Sequence, residues 1–191
     1  QLKVNSVGEL IALLKANPGK YNFASIGNGS LSHLAMEAIA LKAGATLVHV
    51  PYPSSPQAIT AVIRNDAQMA ALPAISVTPQ AATGAVKILA VSTAERSPYL
   101  PDVPTLDEAG VPGFELRVWY GVFAPAKTPR SVVQRLHTEI VKALQSPEVK
   151  ARFTGMGTET LGVGPDEFSR VYLADLQKWS KFIRDTGLKL D

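Results

Sequence analysis

Apolar residues at Val7, Leu10, Ile11 and Leu14 fall three and four positions apart, and Ser6 with Glu9 forms a capping-box pair ahead of them. Asn17-Pro18-Gly19 halts the run, so the spacing predicts a helix over Val7–Ala16. Tyr21–Ser25 then reads as a short strand, followed by the small-residue segment Ile26-Gly27-Asn28-Gly29-Ser30 and an apolar-faced helix over Leu31–Lys42. The unit recurs: a strand over Thr46–Val50, a turn over Pro51–Ser55, and a helix to Arg64 with Pro56 at its first position. Further strands are expected over Ala67–Leu72 and Val86–Val91, separated by a helical stretch that Gly84 closes. Strands alternating with helices predict an α/β fold with a parallel sheet covered on both faces.

Beyond Val91 the pattern changes. A proline-rich passage from Ser97-Pro98 to Pro112-Gly113 carries one capped turn, Thr105–Glu108, and a strand is expected over Leu116–Phe123. Thr128-Pro129 starts a helix with Val132, Val133, Leu136, Ile140 and Leu144 on one face, and Ser146-Pro147 starts another. A short strand over Thr158–Leu161 precedes a long helix from Pro165, whose Phe168, Val171, Tyr172, Leu176, Trp179, Phe182 and Ile183 make a broad apolar stripe. Three helices and one short strand after Phe123 are too little sheet to bury those faces, so a further element is expected to complete that part, unless the helices pack outside the first sheet.

With 46% apolar residues in 191, the chain can bury a sizeable core as one domain or two small lobes. No stretch approaches the roughly 18 uninterrupted apolar residues of a membrane span. No leader pattern opens the chain, so export would imply a leader already removed. The absence of cysteine excludes thiolate metal sites, disulfides and cysteine nucleophiles. The net charge of +3 is spread over single basic residues instead of a stripe interleaved with aromatics, which argues against nucleic-acid binding.

Chemistry concentrates in Ala24-Ser25-Ile26-Gly27-Asn28-Gly29-Ser30-Leu31-Ser32-His33, where a strand meets a helix. Glycines allow a tight turn and close approach to a ligand, and a first helical turn presents unpaired N–H groups and the positive end of a dipole. Ser25, Ser30 and Ser32 add hydroxyls, a set that suits a carboxylate or phosphate held without metal. The same residues also read as nothing more than an N-cap and its connection. A phosphate-binding P-loop is excluded by the missing Gly-Lys-Ser/Thr, the dinucleotide fingerprint is broken at Ser32, and the nucleophile elbow is absent.

His33 stands close to Ser30 and Ser32, but that spacing on a helix is not a catalytic triad, and a histidine tying down the loop is the expectation. His49 falls in an apolar strand and His137 in an amphipathic helix, and no pair of histidines or of carboxylates has the spacing of a helical metal site. Asp107 and Glu108 need only a helix dipole to explain them. Tyr52, at the end of the second strand, falls at the same sheet edge as the glycine turn, either lining a site or half-buried there.

Taken in order, Asn22 to Leu34, Val50-Pro51-Tyr52, Arg96-Ser97-Pro98, Pro101-Asp102-Val103-Pro104-Thr105 and Glu108-Ala109-Gly110 resemble the Bug receptors, the TctC-type solute-binding proteins of tripartite tricarboxylate transporters. Trp119-Tyr120-Gly121, Ala124-Pro125, Thr128-Pro129, Pro147-Glu148-Val149 and Trp179 extend the resemblance over essentially the whole chain. It implies a type II periplasmic binding protein fold, with residues 1–120 as the complete second ligand-binding lobe and 121–191 as the C-terminal part of the first. Family chains begin with a further stretch bearing a proline- and glycine-rich loop, whose absence here would account for the orphan helices.

The resemblance further implies a periplasmic receptor, without catalysis, metal or cofactor, that captures a small carboxylate and delivers it to a membrane permease. Ser25, Gly27, Asn28, Gly29, Ser30 and His33 match the family's carboxylate-binding turn, and Tyr52 the aromatic of its next loop. Two positions depart: Pro53-Ser54 replaces a basic residue and glycine, and a frequent acid falls at Leu72, which tilts the expected ligand toward a plain carboxylate with an apolar body. Two other classes stay open: a Ser/His hydrolase built on Ser30 and His33, and a truncated interaction module. Uncovered apolar faces on the C-terminal helices would favour a homodimer or exchange of lobes.

Overall fold

The computed structural model describes residues 2–188. Two compact units follow one another, the first ending at Val118 and the second starting at Trp119. The first contains α1 (Val7–Ala16), β1 (Asn22–Ser25), α2 (Leu31–Ala43), β2 (Val48–Pro51), α3 (Ser55–Arg64), β3 (Met69–Ala70) and α4 (Ala74–Ala82). The second contains α5 (Arg130–Gln145), α6 (Pro147–Gly155) and α7 (Pro165–Thr186).

The three strands are parallel in the order β2-β1-β3, with Phe23 beside both His49 and Met69. Because successive side chains of a strand point to opposite faces, β1 serves two cores. Phe23, fully buried, packs with Leu14 of α1, Met36 of α2 and Met69, while Ala24 on the other face packs with Ala58 of α3 and Ala67. α2 is buried on most sides, and its alanines at 35, 38, 40 and 43 let it lie close to the sheet. The register is fixed at its start by Gln68, whose side-chain carbonyl accepts the Asn22 amide at 2.8 Å.

Local signals set the helix ends. The Ser6 hydroxyl accepts the Glu9 amide at 3.1 Å, and the Glu9 carboxylate reaches back to the Asn5 amide at 2.7 Å. α2 stops at Gly44 and α3 at Asn65, both left-handed. Thr105 and Glu108 close a reciprocal box, Thr105 N–H to the carboxylate at 2.8 Å and Glu108 N–H to the Thr105 hydroxyl at 3.1 Å. That backbone hydrogen bond, followed by the one from Arg96, holds the Glu108 carboxyl below its ordinary range. Thr105 of the box is buried, as are Leu106, Val111, Phe114 and Leu116 that follow it.

Three expected strands do not form. Val86–Val91 contributes a single parallel bridge, Val91 with Thr105, and Leu116 only donates its amide to the Ser92 carbonyl at 2.7 Å. Residues 117–123 and 158–161 carry no strand, and the expected Ala67–Leu72 shrinks to Met69–Ala70. Apolar β-branched runs suit a pleated surface, but a ladder also needs a neighbour in register over several residues, and beyond these isolated contacts none pairs with these segments among the described residues.

In the second unit the aromatic rings of Trp119, Phe123, Phe168 and Tyr172 meet edge to face or tilted at 5.0 to 6.4 Å. Trp119 Nε1 donates to Asp175 at 2.6 Å, and the Phe168 ring lies so close to Gly121 that a Cβ there would stand 2.1 Å from Cζ. No described residue of this unit is fully buried, and Leu173 and Leu176 of α7 are 53% and 50% exposed. The expectation of apolar helix faces short of cover is met.

Phe23→Ala should destabilise the first unit by about 3–5 kcal/mol, because a ring with no exposure leaves a cavity shared by two helices and two strands. Urea unfolding of the variant against the parent measures this, and a loss below about 1 kcal/mol would contradict the packing described.

Candidate functional site

The site lies where β1 becomes α2. Gly27 has φ +118° and Gly29 φ +70°, conformations that L side chains rarely adopt, so the chain doubles back tightly before Ser30 caps the helix. The Ser30 hydroxyl accepts the His33 amide at 3.3 Å and donates to the Gly27 carbonyl at 2.7 Å. With that proton committed, Ser32 Oγ, 3.0 Å away, donates to Ser30 and accepts the Ile26 amide at 2.9 Å. The Gly27 amide donates to Ser25 Oγ at 3.1 Å.

The expectation that this loop's amides and hydroxyls stand open therefore narrows. Ser25, with no exposed surface, engages its hydroxyl with His49 of β2 and with Gly27, while Ser32, 6% exposed, and Ser30 spend theirs inside the loop. The amides of Ile26, Gly27, Gly29 and His33 are engaged by side chains of the loop itself. The Leu31 and Ser32 amides, in the first turn of α2, donate to no acceptor among the described residues. Asn28 is exposed at the tip of the turn.

His33 ties down the loop, as expected of it: its Nδ1 accepts the Gly29 amide at 3.1 Å, so the ring is neutral with its proton on Nε2, facing Glu37 at 3.7 Å. Burial lowers its pKa, against a smaller opposing effect of the Glu37 charge. Neither ring nitrogen meets Ser30, which touches only the His33 amide, so the Ser30/His33 hydrolase arrangement does not form.

His49 was legible only as an apolar-strand residue, yet it is the loop's second support. Its Nε2 lies 2.6 Å from Ser25 Oγ, and its ring stacks on His33 with centroids 3.9 Å apart and planes 7° from parallel. Phe23 extends the stack at 4.9 Å from His49. Burial and then the neighbouring His33 push the His49 pKa down to about 4. Strand alternation puts Phe23 and Ser25 on one face of β1, but their meeting with His49 depends on β2 lying beside β1 in that register.

Tyr52 donates its amide to the Ser25 carbonyl at 2.9 Å, and its side chain packs with Leu72 against the Ala24, Ala58 and Ala67 cluster. The strand ends that share this edge run on into Ile26, Tyr52-Pro53-Ser54 and Leu72-Pro73, without a carboxylate or cationic side chain among them. An apolar depression lined by Ala81, Val86, Ile88, Leu100 and Val103 lies elsewhere and shares no residue with the loop. No group of three or more metal-ligating side chains exists among the described residues, and no described helix is long and apolar enough to cross a membrane.

The fold is that of periplasmic solute-binding proteins. R. palustris Rpa4515, solved with adipate, superimposes with TM-score 0.93 at 30% identity over 98% of this chain and 62% of its own. The periplasmic binding protein BugD gives TM-score 0.89 at 29% identity, over 99% of this chain and 64% of its own. MatC from Rhodopseudomonas palustris with bound malate gives 0.85 at 26% identity, over 96% and 63%. These matches bear out an α/β fold of the periplasmic binding protein type.

The sequence model of the tripartite tricarboxylate transporter family receptor, TctC, matches residues 2–188, and the chain belongs to that family. A UPF0065 protein in the tcbD-tcbE intergenic region of Pseudomonas sp. strain P51 is 37% identical over 182 residues, which are 95% of this chain and 54% of that protein. Protein BugT of Bordetella pertussis is 35% identical over 193 residues, covering 100% of this chain and 58% of its own length. The chain thus spans little more than half of these relatives.

Gly27→Ala should cost about 1–3 kcal/mol, although nothing lies within 4 Å of the added methyl, because the cost is in the backbone conformation at φ +118°. Chemical denaturation checks this, and an unchanged or raised stability would show that the turn adopts another conformation.

Proposed function

We propose that this chain is a ligand-holding part of a periplasmic solute-binding receptor that captures a small carboxylate and delivers it to the permease of a tripartite tricarboxylate-type transporter. The observation that carries the reading is the pair of unclaimed amides, Leu31 and Ser32, at the positive end of α2, in a loop whose other polar groups are largely satisfied internally. A carboxylate accepts two such N–H groups without metal or cofactor. Membership of the receptor family, and neighbours solved with adipate and malate, support the same ligand class.

In this reading Gly27, Asn28 and Gly29 shape the wall nearest the ligand, and Ser25, Ser30, Ser32 and His33 hold that wall in place. Tyr52 and Leu72 line the adjoining edge, where the lack of an acid leaves no partner for an ammonium group. A plain carboxylate with an apolar body fits better than an amino acid. Self-association belongs to the same proposal: the half-exposed apolar residues of α7 favour pairing of two copies, and light scattering that reads a monomer across a concentration series would remove it.

Isothermal titration and thermal shift with adipate, malate and aspartate test the ligand. Saturable binding of adipate and malate is expected, with stabilisation of about 2.7 kcal/mol at 100 times the dissociation constant and no turnover. Malate and aspartate share a four-carbon diacid skeleton and differ in hydroxyl against ammonium. Tighter binding of aspartate would overturn the ligand class, and no response to any carboxylate would overturn the receptor reading.

A further inference from the structure

We propose that His49, through its stack on His33 and its hydrogen bond to Ser25, is a positioning residue of the anion loop, which keeps its binding shape only while both imidazoles are neutral. The link to ligand affinity rests on the receptor reading above; the link to loop shape does not.

Each ring governs one glycine turn. His33 Nδ1 accepts the Gly29 amide at 3.1 Å, so a proton placed on that nitrogen would set two donors against each other and release Gly29. His49 acts on Gly27 through Ser25, whose Oγ is 2.6 Å from His49 Nε2, accepts the Gly27 amide at 3.1 Å and lies 3.2 Å from the Gly27 carbonyl. A charge on either ring would face the other ring at 3.9 Å, with Phe23 closing the far side of His49. Such a stack tolerates neutral rings and opposes two cations.

The groups around the stack are few. From α2, Glu37 faces His33 Nε2 at 3.7 Å and favours the charged ring; from β2, His49 faces His33; and from β1 come Phe23 and Ser25, which carry no charge. Desolvation prevails over Glu37, so the His33 pKa is lowered, and that of His49 falls to about 4. The sign follows: both folded values lie below the ordinary 6.5, so an opened loop takes up protons that the closed loop refuses. The closed shape is fully favoured above about pH 6.5 and is lost progressively as pH falls toward about 4.

Amide and histidine-ring NMR of the 191-residue chain, titrated from neutral pH down to about 4, reads the loop directly. The Gly27 and Gly29 amide resonances are expected to move with the ring resonances, with midpoints below 6.5. His33→Asn, which retains an acceptor for Gly29 without the proton, should abolish the Gly29 response, and His49→Phe, which retains a stacked ring, should abolish that of Gly27. Flat Gly27 and Gly29 amides in the parent overturn the proposal whether or not the variants fold, and so do responses that persist unchanged in both variants.

Adipate affinity supplies the second reading. Below the midpoint it should fall by about tenfold per pH unit beyond the fall seen in His49→Phe, in which adipate's own protonation and the titration of His33 both remain. Loop resonances that move while affinity stays level with that variant overturn the positioning role in binding. Adipate that does not bind at neutral pH overturns the receptor reading, and the amide titration then decides the loop alone.

Discussion

The Ser30 hydroxyl is the joint on which this fold turns. It gives its proton to the Gly27 carbonyl and, that proton being committed, receives those of the His33 amide and the Ser32 hydroxyl. A strand that ends in a buried serine can pass into a buried helix only if the polar groups of the turn find partners, and this one hydroxyl closes three such needs. Around it, no buried side-chain nitrogen or oxygen among the described residues lacks a hydrogen bond. The glycines then matter less as flexible hinges than as the two positions whose backbone angles let the network close.

A loop so fully engaged by its own side chains has little left with which to bind. What it leaves is the N–H groups of Leu31 and Ser32 in the first turn of α2, next to strand ends that carry no charged side chain. A site made of backbone amides and a helix dipole recognises the charge and planarity of an anion without presenting a counter-ion. In the proposed receptor reading, the apolar character of Ile26, Tyr52, Pro53 and Leu72 at the adjoining strand edge bears on the body of the ligand instead of its charged end.

The second unit follows a different logic. Its helices are amphipathic, only α6 begins with a side-chain cap, and its rings and leucines are covered only in part. Trp119, Phe123, Phe168 and Tyr172 make one aromatic cluster that gives the unit its coherence, with Gly121 lying where any side chain would strike Phe168. Edge-to-face ring contacts and one part-buried hydrogen bond, Trp119 to Asp175, do the work that a fully enclosed core does in the first unit.

Helices were legible from local residues because their ends are local: Ser6 with Glu9, Ser30 with His33, Pro147 after Ser146 and Pro165 after Gly164 each act within one turn. The glycine and serine content of Ile26 to Ser32 likewise declared a tight, polar strand-to-helix turn. The segments around Val86–Val91, Leu116–Phe123 and Thr158–Leu161 looked like strands because a strand's side-chain pattern is local, whereas its hydrogen bonds belong to a neighbour that the pattern cannot name. The same reason hid His49. Its chemistry arises from Ser25 and His33, brought to it by the parallel register of β1 with β2 and by α2 lying over that face. Residue order decided which turns and caps could exist. Only the packed sheet decided which serine hydroxyls were consumed, which amides stayed open, and that two imidazoles would share one buried stack, since those outcomes depend on distances between residues far apart along the chain.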